Sequence, residues 1–226
     1  MQHKELDRIR GGLVVSCQAA PGTPLEGPRH MAAMARAAVE GGAVGIRAEG
    51  IEDVRAIREA LPRPLPLIGL WKVGREGVYI TPTAEHALAV REAGADIVAV
   101  DATDRPRPDG GSFADTVRAV HQAGGLVMAD VSTLEEGLRA AEDGADVVGT
   151  TLSGYTGGTA APSGPDEPLV TGLAARLEIP LIAEGRIHTP AQARTMLERG
   201  AWSVVVGTAI TAPTWITGTF AEAMEG

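Results

Sequence analysis

Short apolar runs in this sequence end repeatedly in polar side chains that can carry out chemistry. Lys72, Asp130 and Glu184 each stand at the end of such a run, and Gln18 and Arg47 hold the same position after two others. Burying polar groups costs several kcal/mol unless they are paired, so a scaffold that only had to pack would not place them there. The pattern predicts a polar site built from the ends of several strands.

Lys72 and Glu184 form the most informative pair. A lysine held out of water near Arg47 has a lowered pKa, and it can act as a base or as a Schiff-base nucleophile. The alternative interpretation is a Lys72–Glu184 salt bridge that only closes the top of the fold. With Arg47 and Asp130 at the same level, the sequence favours a catalytic site.

A repeated unit underlies the apolar runs. Glu92-Ala-Gly-Ala-Asp-Ile-Val-Ala-Val recurs as Glu142-Asp-Gly-Ala-Asp-Val-Val-Gly and as Glu198-Arg-Gly-Ala-Trp-Ser-Val-Val-Val. In each copy a helix ends at a glycine that can take the left-handed conformation, and a β-branched strand follows almost at once. The glycines of the full and looser copies are Gly42, Gly94, Gly144 and Gly200. Continuous apolar strands are typical of a parallel sheet covered on both faces.

Eight strands are predicted on this basis, with helices between them. The strands are Leu13–Cys17, Val44–Arg47, Leu67–Trp71, Ile97–Val100, Leu126–Asp130, Val147–Thr150, Leu181–Glu184 and Ser203–Val206. The helices include Glu52–Leu61, Ala84–Ala93, Leu134–Asp143 and Pro190–Arg199. We therefore predict an α/β protein with one domain over residues 1–226, a single (β/α)8 TIM barrel with an N-terminal helix. An open doubly wound sheet is the alternative, but no Gly-x-Gly-x-x-Gly motif follows the first strand.

Two glycine-containing turns point to a phosphate site. Gly185-Arg186 follows the seventh predicted strand and Gly207-Thr208 follows the eighth. In barrels of this class, backbone N–H groups of these two loops and a helix N-terminus bind a phosphate there. His188 is nearby, and we interpret it as a surface histidine. The uncharged segment 147–165, rich in Gly, Thr and Ser, predicts a flexible loop that could close over a polar ligand.

Composition excludes several function classes. The chain has 20 basic and 29 acidic residues and a net charge of -9, which argues against a nucleic-acid binder. The single cysteine, Cys17, excludes an internal disulfide and is expected to be a buried thiol. The five histidines lack zinc-ligand spacing, and Asp101 with Asp104 is a weak pattern, so no metal is expected.

No membrane segment is predicted either. The N-terminal residues are too charged for a signal peptide. The uncharged stretch Ala201–Ala221 contains Gly207 and Pro213, and its pattern predicts a strand, a loop and a helix start. We expect a cytoplasmic protein with no membrane partner.

The strand ends together resemble those of one family, the bacterial N-acetylmannosamine-6-phosphate 2-epimerases. The resemblance extends from Gly12 to Thr217. The matching stretches are Val15-Ser-Cys-Gln-Ala, Gly45-Ile-Arg-Ala, Pro66-Leu-Ile-Gly-Leu-Trp-Lys, Tyr79-Ile-Thr-Pro-Thr, Val100-Asp-Ala-Thr, Ala129-Asp-Val-Ser-Thr, Gly149-Thr-Thr-Leu-Ser-Gly-Tyr-Thr, Ile182-Ala-Glu-Gly-Arg-Ile and Val206-Gly-Thr-Ala-Ile-Thr. Together they are far more specific than any single stretch.

This resemblance implies a cofactor-independent isomerase of amino-sugar (sialic acid) breakdown. It would interconvert the 6-phosphates of N-acetylmannosamine and N-acetylglucosamine. Lys72 looks like the catalytic lysine and Glu184 like the essential carboxylate beside it. The resemblance assigns sugar binding to Gln18, Arg47 and Asp130, and phosphate binding to Gly185, Arg186, Gly207 and Thr208. A homodimer is a possible assembly.

Two departures from the family pattern concern the substrate. Ala212 stands where the family usually has an arginine that helps to hold the phosphate, and Arg75 or Arg186 is a candidate replacement for that charge. The loop after Lys72 is also shorter than usual and lacks the family tyrosine. The first departure bears on phosphate affinity and the second on sugar specificity.

The mechanistic hypothesis is proton exchange at C2 of the ring-opened sugar, where the C1 carbonyl makes that proton acidic. Neutral Lys72 would take and return the proton, Glu184 would serve ring opening, and Arg47 with Gln18 would stabilise the enolate. Two alternatives stay open at this stage: an aldolase in which Lys72 forms an imine with a ketose phosphate, and a barrel that binds sugar phosphates or a protein partner without catalysis.

Overall fold

The sheet of this protein is a closed barrel of parallel strands. The computed structural model describes residues 3–61, 64–74, 76–157 and 163–225, and within them eight strands pair in sequential order, with β8 returning to β1. The strands are β1 Leu13–Cys17, β2 Gly45–Glu49, β3 Leu67–Leu70, β4 Ile97–Asp101, β5 Leu126–Asp130, β6 Val147–Gly149, β7 Leu181–Glu184 and β8 Ser203–Val206. The predicted (β/α)8 barrel with its N-terminal helix is confirmed.

Helices alternate with these strands along the chain. Those in the described residues are α1 Lys4–Ile9, α2 Pro28–Glu40, α3 Ile51–Ala60, α4 Ala84–Glu92, α5 Phe113–Gln122, α6 Leu134–Glu142, α7 Glu167–Ala174, α8 Pro190–Glu198, α9 Thr208–Thr211 and α10 Pro213–Glu225. Side chains of Thr83, Thr133 and Thr189 cap α4, α6 and α8 by accepting backbone N–H bonds. None of the described helices is long and apolar enough to cross a membrane.

The turns that join helix to strand have the predicted geometry. After α2, α4, α6 and α8 the chain passes through a glycine with φ between 98° and 118°. The four residues are Gly42, Gly94, Gly144 and Gly200. This left-handed conformation is nearly free of cost only for glycine, and it lets the next strand begin within a few residues.

Side chains alternate between the barrel interior and the helix layer, as the period of two in a strand requires. Ile68, Ile97 and Met128 belong to the interior cluster, whereas their strand neighbours Val98 and Val127 pack under the helices. Helix α1 covers the amino-terminal end of the barrel. Its Leu6 and Ile9 join the interior cluster, and the indole of Trp202 donates a 2.8 Å hydrogen bond to the Leu6 carbonyl.

Strand β2 begins one residue later and ends two residues later than the sequence predicts. It was predicted over Val44–Arg47 but runs over Gly45–Glu49, because its pairing with β3 continues to Glu49 opposite Leu70. The alternation then puts both Arg47 and Glu49 on the inner side. Two ionisable groups of one strand therefore reach the carboxyl end of the barrel.

Candidate active site

A cavity of about 800 Å³ opens at the carboxyl-terminal end of the barrel. Its wall includes Gln18, Arg47, Glu49, Lys72 and Glu184. These side chains lie at or just after the ends of four strands, β1, β2, β3 and β7, since Arg47 and Glu49 both belong to β2, and closure of the sheet brings them to one rim. This is the end at which barrels of this class carry their chemistry.

Arg47 is the centre of a buried charge network. Its guanidinium is 1% exposed and donates to both carboxylate oxygens of Asp130, at 2.6 and 3.2 Å. The Nη1 atom also lies 3.2 Å from Glu184 Oε2. One cation thus joins two acids from β5 and β7, and removing Arg47 would leave both buried acids without a compensating charge.

Asp130 lies behind the cavity wall rather than in it. The residue is fully buried, and its Oδ1 accepts a hydrogen bond of 2.7 Å from the hydroxyl of Thr151. The same hydroxyl is 3.1 Å from Glu184 Oε2. Gly149 makes room for this packing, since a Cβ there would lie 2.2 Å from the Met128 methyl carbon.

Glu184 has the most strongly altered ionisation among these groups. Burial and the neighbouring Asp130 raise the pKa of its carboxyl from 4.5 to about 7, against the opposing effect of Arg47. Burial acts in the other direction on Arg47, but Asp130 and Glu184 outweigh it and raise the pKa of the guanidinium. Glu184 is therefore able to gain and lose a proton near neutral pH while Arg47 stays charged.

Lys72 lies at the mouth of this network. Its Nζ donates a 2.7 Å hydrogen bond to Gln18 Oε1, and its backbone N–H donates to Glu49 Oε1 at 3.2 Å. No ion pair between Lys72 and Glu184 occurs in the described part of the chain. The Lys72–Glu184 salt bridge considered from the sequence is not formed.

Loss of hydration lowers the pKa of Lys72, and the charge of Arg47 adds to the effect, while Glu49 and Glu184 oppose it. The side chain is nevertheless exposed to the open cavity, so water in the cavity weakens this depression. A bound sugar that displaces the water would strengthen it. The direction is the one that a lysine base requires.

The two predicted phosphate-binding turns meet at one end of the cavity, where Gly185, Arg186, Gly207 and Thr208 all line it. Gly185 and Arg186 both have positive φ, 109° and 54°. Such a conformation is uncommon for a residue with a side chain. The chain after β8 enters the short helix α9 at Gly207.

The guanidinium of Arg186 is bound to the loop after β6. Its Nε donates to the Gly164 carbonyl at 2.9 Å, and its Nη1 donates to the Ser153 carbonyl at 2.6 Å. It also lies 5.4 Å from the ring centroid of Tyr155. The backbone of Arg186 thus borders the cavity, while its guanidinium joins Ser153 and Gly164, which lie near the two ends of the loop after β6. Residues 158–162 of the segment predicted to close over a ligand, and Arg75, fall outside the described residues.

His188 is a correction to the sequence interpretation. It was expected on the surface, but it is half-buried, lines the cavity and packs on Trp215 with ring centroids 4.6 Å apart. The contact comes from α10, whose direction could not be foreseen from the local sequence. Ala212, three residues before Trp215, lines the same end of the cavity.

The remaining candidates take structural roles. Cys17 is fully buried, and burial raises the pKa of its thiol to about 12, so it is inert. Asp101 pairs with Arg105 at 2.6 Å and Asp104 pairs with Arg139. In the described part of the chain, no group of three or more His, Cys, Asp or Glu side chains is placed to hold a metal.

Sequence reasoning missed Glu49 as a site residue. It follows Arg47 by two positions, so strand alternation alone could have placed it on the same inner face. Thr151 was not predicted as a site residue either. Its position between two carboxylates follows from the β5–β6–β7 register, which no local pattern encodes.

Comparison with known proteins gives a consistent family. Residues 31–226 match the family model described as "Putative N-acetylmannosamine-6-phosphate epimerase". A protein from Cutibacterium acnes is described as "Putative N-acetylmannosamine-6-phosphate 2-epimerase" and is 53% identical to this chain over 220 residues. The match covers 96% of this chain and 95% of that relative. A relative with that description from Caldanaerobacter subterraneus is 50% identical over 225 residues, 97% of this chain and 94% of its own length.

A solved structure is similar over the whole fold. The N-acetylmannosamine-6-phosphate 2-epimerase from Clostridium perfringens superposes with a TM-score of 0.93 and 43% identity. The match covers 99% of this chain and 97% of that protein.

Proposed function

This chain belongs to the N-acetylmannosamine-6-phosphate epimerase family, and from this premise we propose how it acts. It is an isomerase that interconverts N-acetylmannosamine 6-phosphate and N-acetylglucosamine 6-phosphate by inverting C2. The observation that carries the proposal is one cavity in which Lys72, whose pKa is lowered, and Glu184, whose pKa is raised to about 7, share a wall. A base whose pKa is lowered and an acid whose pKa is raised are what this reaction needs.

The chemistry begins with ring opening, because the C2 proton becomes acidic only when C1 is a carbonyl. In our proposal, Glu184 moves the proton between O5 and O1 that opens the ring. The neutral amine of Lys72 then takes the C2 proton, and the electron pair of the C–H bond moves into an enolate whose charge rests on O1. The Lys72 ammonium, whose protons exchange with water in the open cavity, then gives a proton to the other face of C2, directly or through a substrate hydroxyl, which forms the epimer and regenerates the amine.

The other polar residues position these two groups and the sugar. We propose that Gln18, which holds the Lys72 amine at 2.7 Å, also binds the sugar and donates to the enolate oxygen. Arg47 stabilises the same negative charge and holds Glu184. Asp130 is buried, so we assign it a positioning role through Arg47 and Thr151 rather than direct contact with the sugar.

The phosphate would bind at the end of the cavity lined by Gly185, Arg186, Gly207 and Thr208. Backbone N–H groups bind a dianion there without adding a mobile charge.

We also propose a single domain over residues 1–226 and a cytoplasmic location, since ionised sugar phosphates are retained inside cells. A homodimer is consistent with α10, where Phe220 is 70% exposed, and light scattering would test it.

The test of the function is proton exchange at C2. The protein is incubated with N-acetylmannosamine 6-phosphate in heavy water, and the reaction is followed by NMR. We expect N-acetylglucosamine 6-phosphate with deuterium at C2. Product without deuterium would contradict the mechanism. Absence of product, together with a Lys72 adduct trapped by borohydride, would contradict the function and favour an imine-forming aldolase.

A second prediction concerns Glu49, which no family motif identified. Its carboxylate favours the charged form of Lys72, so Glu49→Gln is expected to lower the pKa of Lys72 further. Activity requires one proton on the Lys72–Glu184 pair, and the alkaline limb of the kcat/KM profile should therefore move to lower pH. Glu52→Gln, an exposed change on α3, is the control. Equal alkaline limbs in the wild type and Glu49→Gln would contradict this role.

A further inference from the structure

The phosphate end of the cavity contains a side chain that the reaction scheme does not use. His188 lies there with its backbone N–H bonded to Gln192 Oε1 at 2.8 Å, which ties it to the start of α8. Its ring packs on Trp215, at an interplanar angle of 39°. The imidazole is thus held from both sides, by α8 through its backbone and by α10 through its ring.

The cations of the cavity wall are already committed elsewhere. Arg47 is bonded to Asp130 and Glu184, and Lys72 is bonded to Gln18. The guanidinium of Arg186 is bonded to carbonyls of the loop after β6. None of these three charges can reach a phosphate without breaking contacts that build the site.

The ring nitrogens of His188, in contrast, make no hydrogen bond to any residue that the structure describes. Ala212, at the same end of the cavity, has only a methyl group. A dianion bound by the backbone of Gly185 and Gly207 would therefore meet in His188 a side chain that can carry a positive charge and whose ring nitrogens are not bonded to any described residue. An imidazolium at this position would form a charge-assisted hydrogen bond with a phosphate, and its ring lies against the face of Trp215.

We propose that His188 recognises the phosphate of the substrate and supplies the positive charge that the side chain at position 212 lacks. It is a specificity-determining residue: it selects phosphorylated over unphosphorylated sugars and takes no part in proton transfer at C2. The identity of the sugar is taken from the proposed function. The affinity of this site for phosphate is inferred from the cavity alone and does not depend on that function.

The kinetic test compares two sugars that differ only in the phosphate. His188→Ala is expected to raise KM for N-acetylmannosamine 6-phosphate about tenfold or more, since hydrogen bonds to charged groups have effects of that size, with kcat changed less than about threefold. The kcat/KM for unphosphorylated N-acetylmannosamine should stay the same. His30→Ala, an exposed change on α2 that does not line the cavity, is the matched control.

A second variant tests the link to position 212. In the double variant His188→Ala/Ala212→Arg, an arginine placed across the same end should bring KM for the phosphorylated sugar back toward the wild-type value. His188→Gln keeps a donor but not the charge and should give an intermediate KM, and it serves as the test if His188→Ala does not fold. An equal loss of kcat/KM for both sugars, or an unchanged KM for the phosphorylated one, would overturn the proposal.

Binding of inorganic phosphate, measured by calorimetry, separates this inference from the proposed function. The wild type should bind phosphate about tenfold more tightly than His188→Ala. If the wild type shows that difference but no epimerisation, the function fails and the role of His188 stands. If epimerisation occurs but both proteins bind phosphate equally, the role of His188 fails and the function stands.

Discussion

Replacing Lys72 with methionine is expected to lower kcat for epimerisation by about a thousandfold or more, because proton transfer by a positioned side chain contributes about 10²- to 10⁴-fold to a reaction rate. Methionine keeps the length and the apolar stem of lysine but has no proton to exchange. Deuterium incorporation at C2, followed by NMR in heavy water, measures the loss directly.

The fold should tolerate this change, since the Lys72 side chain is exposed to the cavity and its amine makes one hydrogen bond, to Gln18, among the described residues. The chain has one other lysine, Lys4, which is exposed on α1, and Lys4→Met is the matched control. A Lys72→Met protein that exchanges the C2 proton at a rate within about tenfold of the wild type would exclude Lys72 as the base.

Glu184→Gln is expected to reduce kcat by about a hundredfold or more, because glutamine matches the shape of the carboxylic acid but cannot transfer the proton needed for ring opening. The pH profile gives a second readout. The active protein carries one proton on the Lys72–Glu184 pair: with two protons Lys72 is charged and cannot act as a base, and with none Glu184 has no proton to transfer. Wild-type kcat/KM should therefore rise as pH increases through about 7, the pKa of Glu184, where the pair loses the first of its two protons. It should fall again above the lowered pKa of Lys72.

In Glu184→Gln the rise near neutral pH should disappear from whatever activity remains. Glu178→Gln, an exposed change just before β7, should keep the wild-type profile. A Glu184→Gln protein with an unchanged acid limb would show that another group titrates near pH 7.

Stability should change in the opposite sense to activity. The folded protein holds the Glu184 proton up to about pH 7, whereas the ordinary value is 4.5, so this group favours the folded state below pH 4.5 and loses that contribution as pH rises through about 7. Glutamine carries no buried negative charge at any pH. We therefore expect Glu184→Gln to be more resistant to urea than the wild type at pH 8 and similar to it at pH 5.

The strand ends were predictable because short local patterns in the sequence mark where helices and strands end. A glycine with positive φ ends α2, α4, α6 and α8, and an apolar strand follows each of these helices. Asp130 and Glu184 are instead marked by the apolar runs of β5 and β7, which end at them. Closure of the sheet then brings the ends together without further information. These features are local, and the bounds that they predict for β1, β5, β7 and β8 match those of the structure.

The partners within the site were not predictable in the same way. Glu184 bonds to Arg47 rather than to Lys72, since inner-face neighbours are set by how strand registers combine around the ring. Arg186 turns its charge to the loop after β6, and His188 meets Trp215. These contacts join segments that are distant in sequence or separated by a turn, and hydrophobic periodicity carries no signal for them.

The contact between Trp202 and the Leu6 carbonyl, with the pairing of β1 and β8, has a consequence for protein synthesis. While the chain is still emerging from the ribosome, β1 presents one unpaired edge and helix α1 lacks its indole partner. The ring can close only after Val206 has been made. A chain released before Ser203 retains open edges on β1 and β7, which are templates for pairing with other chains. Incomplete translation products of this protein are consequently prone to aggregate and depend on chaperones or proteases for removal.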